Sequence, residues 1–189
     1  MAGFISIAYF LSTFIFGSLI FILWIRFALK FFCVSALHPA AAPIFNVTNP
    51  IVLPINRLLS TFHIKIQRYD LATLLTIFVF ELLKYSTFAL LSFGFSFPWI
   101  AVLLFAMADL VREPCDLLFY AVLIRVVISW VKPNWQHPLH YLSVQFTEPL
   151  MAPIRRIIPS IAGLDLSPLI LIVLLKTITL FISAYLPTH

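Results

Sequence analysis

Four stretches of the chain are apolar for long enough to cross a bilayer, and the polar positions between them form two similar blocks. Phe4 to Trp24 carries no charge, and at about 1.5 Å per residue it reaches across roughly 30 Å of hydrocarbon. Arg26 and Lys30 follow, interleaved with Phe27, Phe31 and Phe32; aromatic and basic side chains together mark a membrane–water boundary. Leu71 to Phe93 predicts a second span. Glu81 and Lys84 lie inside it, three residues apart, so on a helix they share a face and can pair. The segment Gly94-Phe95-Ser96-Phe97-Pro98-Trp99 reads as an uncharged aromatic turn at the opposite boundary. Ile100 to Val131 is longer than one crossing needs. Its polar residues Asp109, Arg112, Glu113 and Asp116 stand at i, i+3, i+4 and i+7, one stripe on a helix, and Pro114 would kink it. Two readings stand for 100–131: one long kinked third span, or two shorter segments divided at about 109–116. Leu166 to Leu186, with Lys176 inside, predicts the fourth span.

The connections differ in kind. Between Ala36 and Asp70, Pro39, Pro43, Pro50 and Pro54 break the pattern, yet Ile44, Phe45, Val47, Ile51, Val52, Ile55, Leu58 and Leu59 keep it apolar. Short amphipathic pieces lying in the interface fit this, with a protein-covered re-entrant element as the alternative. Lys132 to Asp165 has the same character: Leu139, Leu142, Phe146 and Leu150 recur at helical spacing, with Gln145 and Glu148 off that face.

The two blocks align without gaps at an offset of 99 positions. Arg26 falls on Arg125, His38-Pro39 on His137-Pro138, Thr48 on Thr147, Pro50 on Pro149, Pro54 on Pro153 and Arg57 on Arg156. Self-similarity of this extent predicts duplication. The expected fold is an all-α membrane protein of four transmembrane helices. It is arranged as two parallel tandem repeats, 1–93 and 100–189, each a span, an interfacial amphipathic segment and a span. The offset lays Ala101–Val131 over Ala2–Phe32, which favours one long third span.

Composition agrees. Of 189 residues, 62% are hydrophobic and 10% charged, less than half the roughly 25% charged residues of a soluble domain. Nine of the twelve basic residues lie between Arg26 and Arg68 or between Arg125 and Arg156. The positive-inside rule therefore places both connections in the cytoplasm and both termini outside it. A basic balance in such a chain reports orientation and anionic lipid, not nucleic acid. Cys33 and Cys115 make no metal spacing and no disulfide framework. The first residues lack the basic n-region of a signal peptide, so the first apolar run is expected to remain as a span.

The segments Thr147-Glu148-Pro149-Leu150, Pro153-Ile154-Arg155-Arg156-Ile157-Ile158-Pro159 and Gly163-Leu164-Asp165-Leu166-Ser167-Pro168 resemble the signature of the YggT (YlmG) family of small bacterial and plastid membrane proteins. The resemblance covers nearly the whole chain and includes Arg125-Val126-Val127-Ile128-Ser129-Trp130. The first half departs from the pattern, with Asn56 where the first arginine of the pair belongs and Ser60 in place of the following proline. No glycine precedes Tyr69-Asp70, and this segment is four residues longer. The resemblance implies a bacterial inner-membrane or plastid-membrane protein without an established enzymatic activity. Its implied roles are osmotic or ion tolerance, cell division and envelope organisation, and cofactor assembly in plastids.

Candidate sites are few. Arg155, Arg156 and Arg57 can each take a phosphate bidentately, with Pro149 and Pro153 shaping the segment; generic snorkelling is the plainer account. Asp70 and Asp165 read as helix caps. The intramembrane charges Glu81, Lys84, Asp109, Arg112, Glu113, Asp116 and Lys176 would serve either internal ion pairing or a conduction route. His38 and His137 are matched, and His140 follows, but interface packing accounts for them better than metal or haem. No catalytic set, cofactor site or metal site emerges, so the chain is expected not to be an enzyme. The expected function is an inner-membrane scaffold or assembly factor in envelope or cell-division organisation. It would bind anionic lipid and an unidentified membrane protein through cytoplasmic-face motifs, with a second copy of the chain also open as a partner. A small ion or osmolyte channel or transport component is the alternative.

Overall fold

A computed structural model describes residues 2–61, 70–94, 99–131, 137–158 and 165–185. The aromatic turn residues 95–98, the basic Lys65, Arg68 and Lys132, and the motif residues Tyr69, Pro159, Gly163 and Leu164 lie outside the described residues. So does Leu186, the expected end of the fourth span.

Among the described residues there are six helices and no strand: α1 (Ala2–Phe31), α2 (Ala42–Thr61), α3 (Leu71–Phe93), α4 (Trp99–Val131), α5 (Pro138–Ile157) and α6 (Ser167–Tyr185). Four of them, α1, α3, α4 and α6, are long and apolar enough to cross a membrane. The protein is a multi-pass membrane protein. The stretch 100–131 is one helix, with Pro114 inside it.

Among the described residues each amphipathic connection holds one continuous helix, α2 or α5, rather than short pieces. Pro50 and Pro54 lie inside α2, and Pro149 and Pro153 inside α5. Each proline removes one i→i−4 bond, but both pairs sit on the exposed face. There the ring clears the packed side, and the opposite face holds the helix in place. That opposite face is Phe45, Thr48 and Val52 on α2, and Leu142, Ser143, Phe146, Thr147 and Met151 on α5. The buried face of α5 is thus more polar than the leucine spacing predicts, and Leu139 is exposed instead.

The chain divides into two compact units, Met1–Val111 and Arg112–His189. This division falls inside α4. The first turns of α4 pack on α3 through Lys84–Asp109 and through a stack of Tyr85 on Phe105 with ring centroids 5.4 Å apart. In the first unit α1 and α3 run antiparallel. Tyr9 stacks on Phe88 at 4.7 Å and its hydroxyl lies 2.8 Å from Ser92, while Phe16 meets Phe80 nearer the middle. Cys33, just past α1, takes a left-handed conformation (φ 56°) that reverses the chain toward α2. At the far end of α3, Gly94 takes a positive φ of 61° with ψ −141°, a backbone conformation open to glycine, and donates its N–H to the Leu90 carbonyl. In the second unit the core is Val122, Met151, Leu171 and Leu175, drawn from α4, α5 and α6.

Candidate functional site

In the first unit one buried guanidinium joins three helices. Arg26, near the end of α1, donates from Nη1 to Thr48 Oγ1 at 2.7 Å and to Asn49 Oδ1 at 2.8 Å, both on α2. Its Nε donates to Thr73 Oγ1 on α3 at 3.2 Å and lies 3.5 Å from Asp70 Oδ2. Lys30 Nζ is 2.9 Å from the same carboxylate oxygen. Asp70 caps α3, accepting from the Thr73 amide and hydroxyl. Burial would raise its pKa, but the Thr73 and Lys30 hydrogen bonds and the charges of Lys30 and Arg26 hold it below the usual carboxylate value.

The second unit has an arginine circuit of its own, built from different groups. Arg125 donates from Nη1 to Thr147 Oγ1 at 2.9 Å and from Nη2 to Glu148 Oε2 at 2.6 Å. Arg155 continues the chain of charges, donating to Glu148 Oε1 at 2.8 Å and to Asp165 Oδ2 from Nε (3.1 Å) and Nη2 (2.8 Å). Asp165 Oδ1 accepts the Ser167 N–H at the start of α6. The hydrogen bond from Arg125, opposed by burial and supported by Arg155, holds Glu148 below its ordinary pKa. Burial pushes Asp165 up, yet Ser167 and Arg155 bring it net downward. Asp165 and, next, Glu148 in turn raise Arg155. Asn49 and Asn56 occupy the first-unit positions of Glu148 and Arg155, so the first circuit is neutral where the second is ionic.

The outer faces of α2 and α5 also correspond. Residues spaced 0, 4 and 7 along a helix lie within about 60° of one another. Pro50, Pro54 and Arg57 have this spacing, as do Pro149, Pro153 and Arg156, and all six are exposed. The expected arginine pair therefore splits: Arg155 is held by two carboxylates, while Arg156 points outward like Arg57.

The intramembrane charges divide as well. Lys84 Nζ sits 2.6 Å from Glu81 Oε2 and 2.8 Å from Asp109 Oδ2, and the Tyr85 hydroxyl donates to that same Asp109 oxygen at 2.7 Å. Glu81, Lys84 and Asp109 are all buried. In the second unit Lys176 Nζ is 2.7 Å from Asp116 Oδ1 and 4.1 Å above the Phe119 ring, with Arg112 Nε 4.0 Å from Asp116 Oδ2. Glu113 lies one turn beyond Asp109 on α4. The matched histidines act as backbone caps: His38 Nδ1 accepts from the Ala40 N–H and His137 Nδ1 from the Leu139 N–H.

The family model described as CCB3/YggT matches residues 5–91 and 104–186. The chain belongs to the CCB3/YggT family. A protein in the proC 3′ region of Vibrio alginolyticus, itself called uncharacterised, is 34% identical over 169 residues, covering 89% of this chain and 88% of its own length. The uncharacterised protein YggT of Escherichia coli (strain K12) is 30% identical over 146 residues, 77% of this chain and 73% of that one. PA0392 of Pseudomonas aeruginosa, also called uncharacterised, is 29% identical over 168 residues, with coverages of 88% and 83%. No solved structure matches the chain.

Sequence reasoning missed the centres of both circuits. Arg26 was visible only as a boundary residue and Arg125 only within a motif of the family, the two forming one matched pair and Thr48 and Thr147 another. The signal was there: a threonine recurring with an arginine at the same offset, inside otherwise apolar surroundings. Tyr85, beside Lys84, had no such marker.

Proposed function

We propose that the protein is a non-catalytic inner-membrane scaffold of two parallel repeats, whose interfacial helices bind anionic lipid and a membrane-protein partner at the cytoplasmic face. The observation that carries this reading is the matched pair of exposed Pro-Pro-Arg stripes on α2 and α5. Each helix is locked to the end of the span before it by a buried or half-buried arginine, Arg26 or Arg125. The inner faces hold the helices down and the outer faces present Arg57 and Arg156. An arginine beside an anionic leaflet contributes about 1 kcal/mol of attraction and can bind phosphate through two N–H groups. The correspondence of the circuits at an offset of 99 supports duplication, and the basic connections support a cytoplasmic position for α2 and α5.

The test is recovery of anionic lipid with the purified protein. Arg57→Ala with Arg156→Ala is expected to leave the protein folded and lower that recovery; undiminished recovery would end the reading. Arg155→Ala is unsuitable for this purpose because it opens the Glu148–Asp165 circuit.

The transport alternative draws on Glu81, Lys84 and Asp109, since charge at bilayer depth is costly by at least about 2.5 kcal/mol per group. Their mutual pairing serves helix association directly. Ion flux in liposomes that disappears when Asp109, Glu113 and Asp116 are neutralised would establish transport instead.

A further inference from the structure

The outer stripes contain more than a cation. Proline has no N–H, so Pro54 leaves the Pro50 carbonyl without the donor that would stand four residues on, and Pro153 does the same to the Pro149 carbonyl. Both carbonyls belong to exposed residues on the same face as the arginine seven positions further along. Helix carbonyls point toward the C-terminus, whereas side chains lean toward the N-terminus. The carbonyl, the ring of the intervening proline and the stem of the arginine therefore share the interval of about 10 Å between the two Cα positions. The arrangement occurs twice, 99 residues apart, in the two helices that are bound to span ends by Arg26 and Arg125.

We infer that each stripe is a selective site for a phospholipid headgroup bearing a hydrogen-bond donor beyond its phosphate, the arginine taking the phosphate and the bared carbonyl taking the donor. The inference rests on the interfacial placement of α2 and α5 proposed above. It separates headgroups that charge alone does not. Glycerol and ethanolamine heads carry O–H or N–H groups, whereas a methyl ester or a choline head carries none. A proline at 54 and 153 is then a device that keeps one acceptor open on a surface where a helix would otherwise consume it.

The experiment uses the full chain in mixed micelles, with bound lipid counted by native mass spectrometry. Phosphatidylglycerol competes with phosphatidylmethanol, which has equal charge but no donor, and phosphatidylethanolamine competes with phosphatidylcholine. The wild type is expected to favour the donor-bearing member of each pair by roughly two- to ten-fold, the factor one net hydrogen bond supplies. Pro54→Ala with Pro153→Ala restores the amide donors and favours the helix, so folding is preserved. This variant should lose the preference within each pair while retaining phosphatidylmethanol. Arg57→Gln with Arg156→Gln should lower retention of both anionic lipids. Equal binding within the pairs by the wild type, or a preference that survives Pro54→Ala with Pro153→Ala, overturns the inference and leaves the lipid-binding reading standing. Anionic retention indifferent to the arginine variants overturns that reading itself.

Discussion

Arg26 and Arg155 show how the same side chain takes on different weight with its depth. Arg26 is 4% exposed and ties α1 to α2 and α3. Arg26→Ala strips donors from Thr48, Asn49, Thr73 and Asp70 at once, and removing one partner of a buried charged network costs about 3 kcal/mol or more. A large drop in thermal stability in detergent is the expected result, and a shift within error would refute the clamp. Arg155 is 38% exposed, so solvent screens its pairs, and Arg155→Ala should cost about 1 kcal/mol or less. Asp70 adds a pH signature. Its folded pKa is depressed, so its contribution is present above the unfolded value near about 3.9 and disappears as pH falls through the lower folded value. Stability measured from pH 6 downward should decline in the acid range below about 4. Asp70→Asn should be less stable at pH 6 and should flatten that decline; an unchanged acid slope would assign it to other groups.

At the scale of helices, α3 and α4 are held by one ammonium between two carboxylates. Lys84→Met would take the shared ammonium from two buried carboxylates, Glu81 and Asp109, a loss of about 3–5 kcal/mol for a broken buried pair. Adding Glu81→Gln and Asp109→Asn to Lys84→Met should restore most of the stability, since neutral groups of similar shape are cheaper to bury than one unmatched sign. Failure of the triple variant to recover, by thermal unfolding, would mean that the charges do more than hold the helices together. The spans themselves were legible. Leu71–Phe93 coincides with α3, and 100–131 lies within α4, because a run of apolar residues of bilayer length has few other outcomes. The connections were legible only as amphipathic. Four prolines argued against continuous helices, and what overrides them is their exposure on one face while Thr48, Val52, Thr147 and Met151 are buried on the other. Nor was the fate of Arg155 legible. Its partners are seven and ten residues away, Glu148 within α5 and Asp165 at the start of α6, and neighbouring Arg156 looks identical in one dimension.

Across the whole chain, orientation is the property on which the lipid-binding reading depends, and the chain carries its own reporters. Basic residues cluster in the two connections, and short basic loops remain in the cytoplasm. Cys33 is exposed just past the end of α1, whereas Cys115 sits within α4, partly buried and packed against the second-unit core. A membrane-impermeant maleimide should therefore modify the native protein at Cys33 alone. It should do so in inverted inner-membrane vesicles and not in right-side-out spheroplasts. Cys33→Ser should abolish the signal, which keeps Cys115 from being mistaken for it. Labelling from the spheroplast exterior would place the α1–α2 connection outside the cytoplasm. It would also move Arg57 away from the anionic leaflet, removing the electrostatic basis for a cytoplasmic lipid site. Labelling confined to inverted vesicles would put α2 on the face where anionic headgroups and cytoplasmic partners meet it.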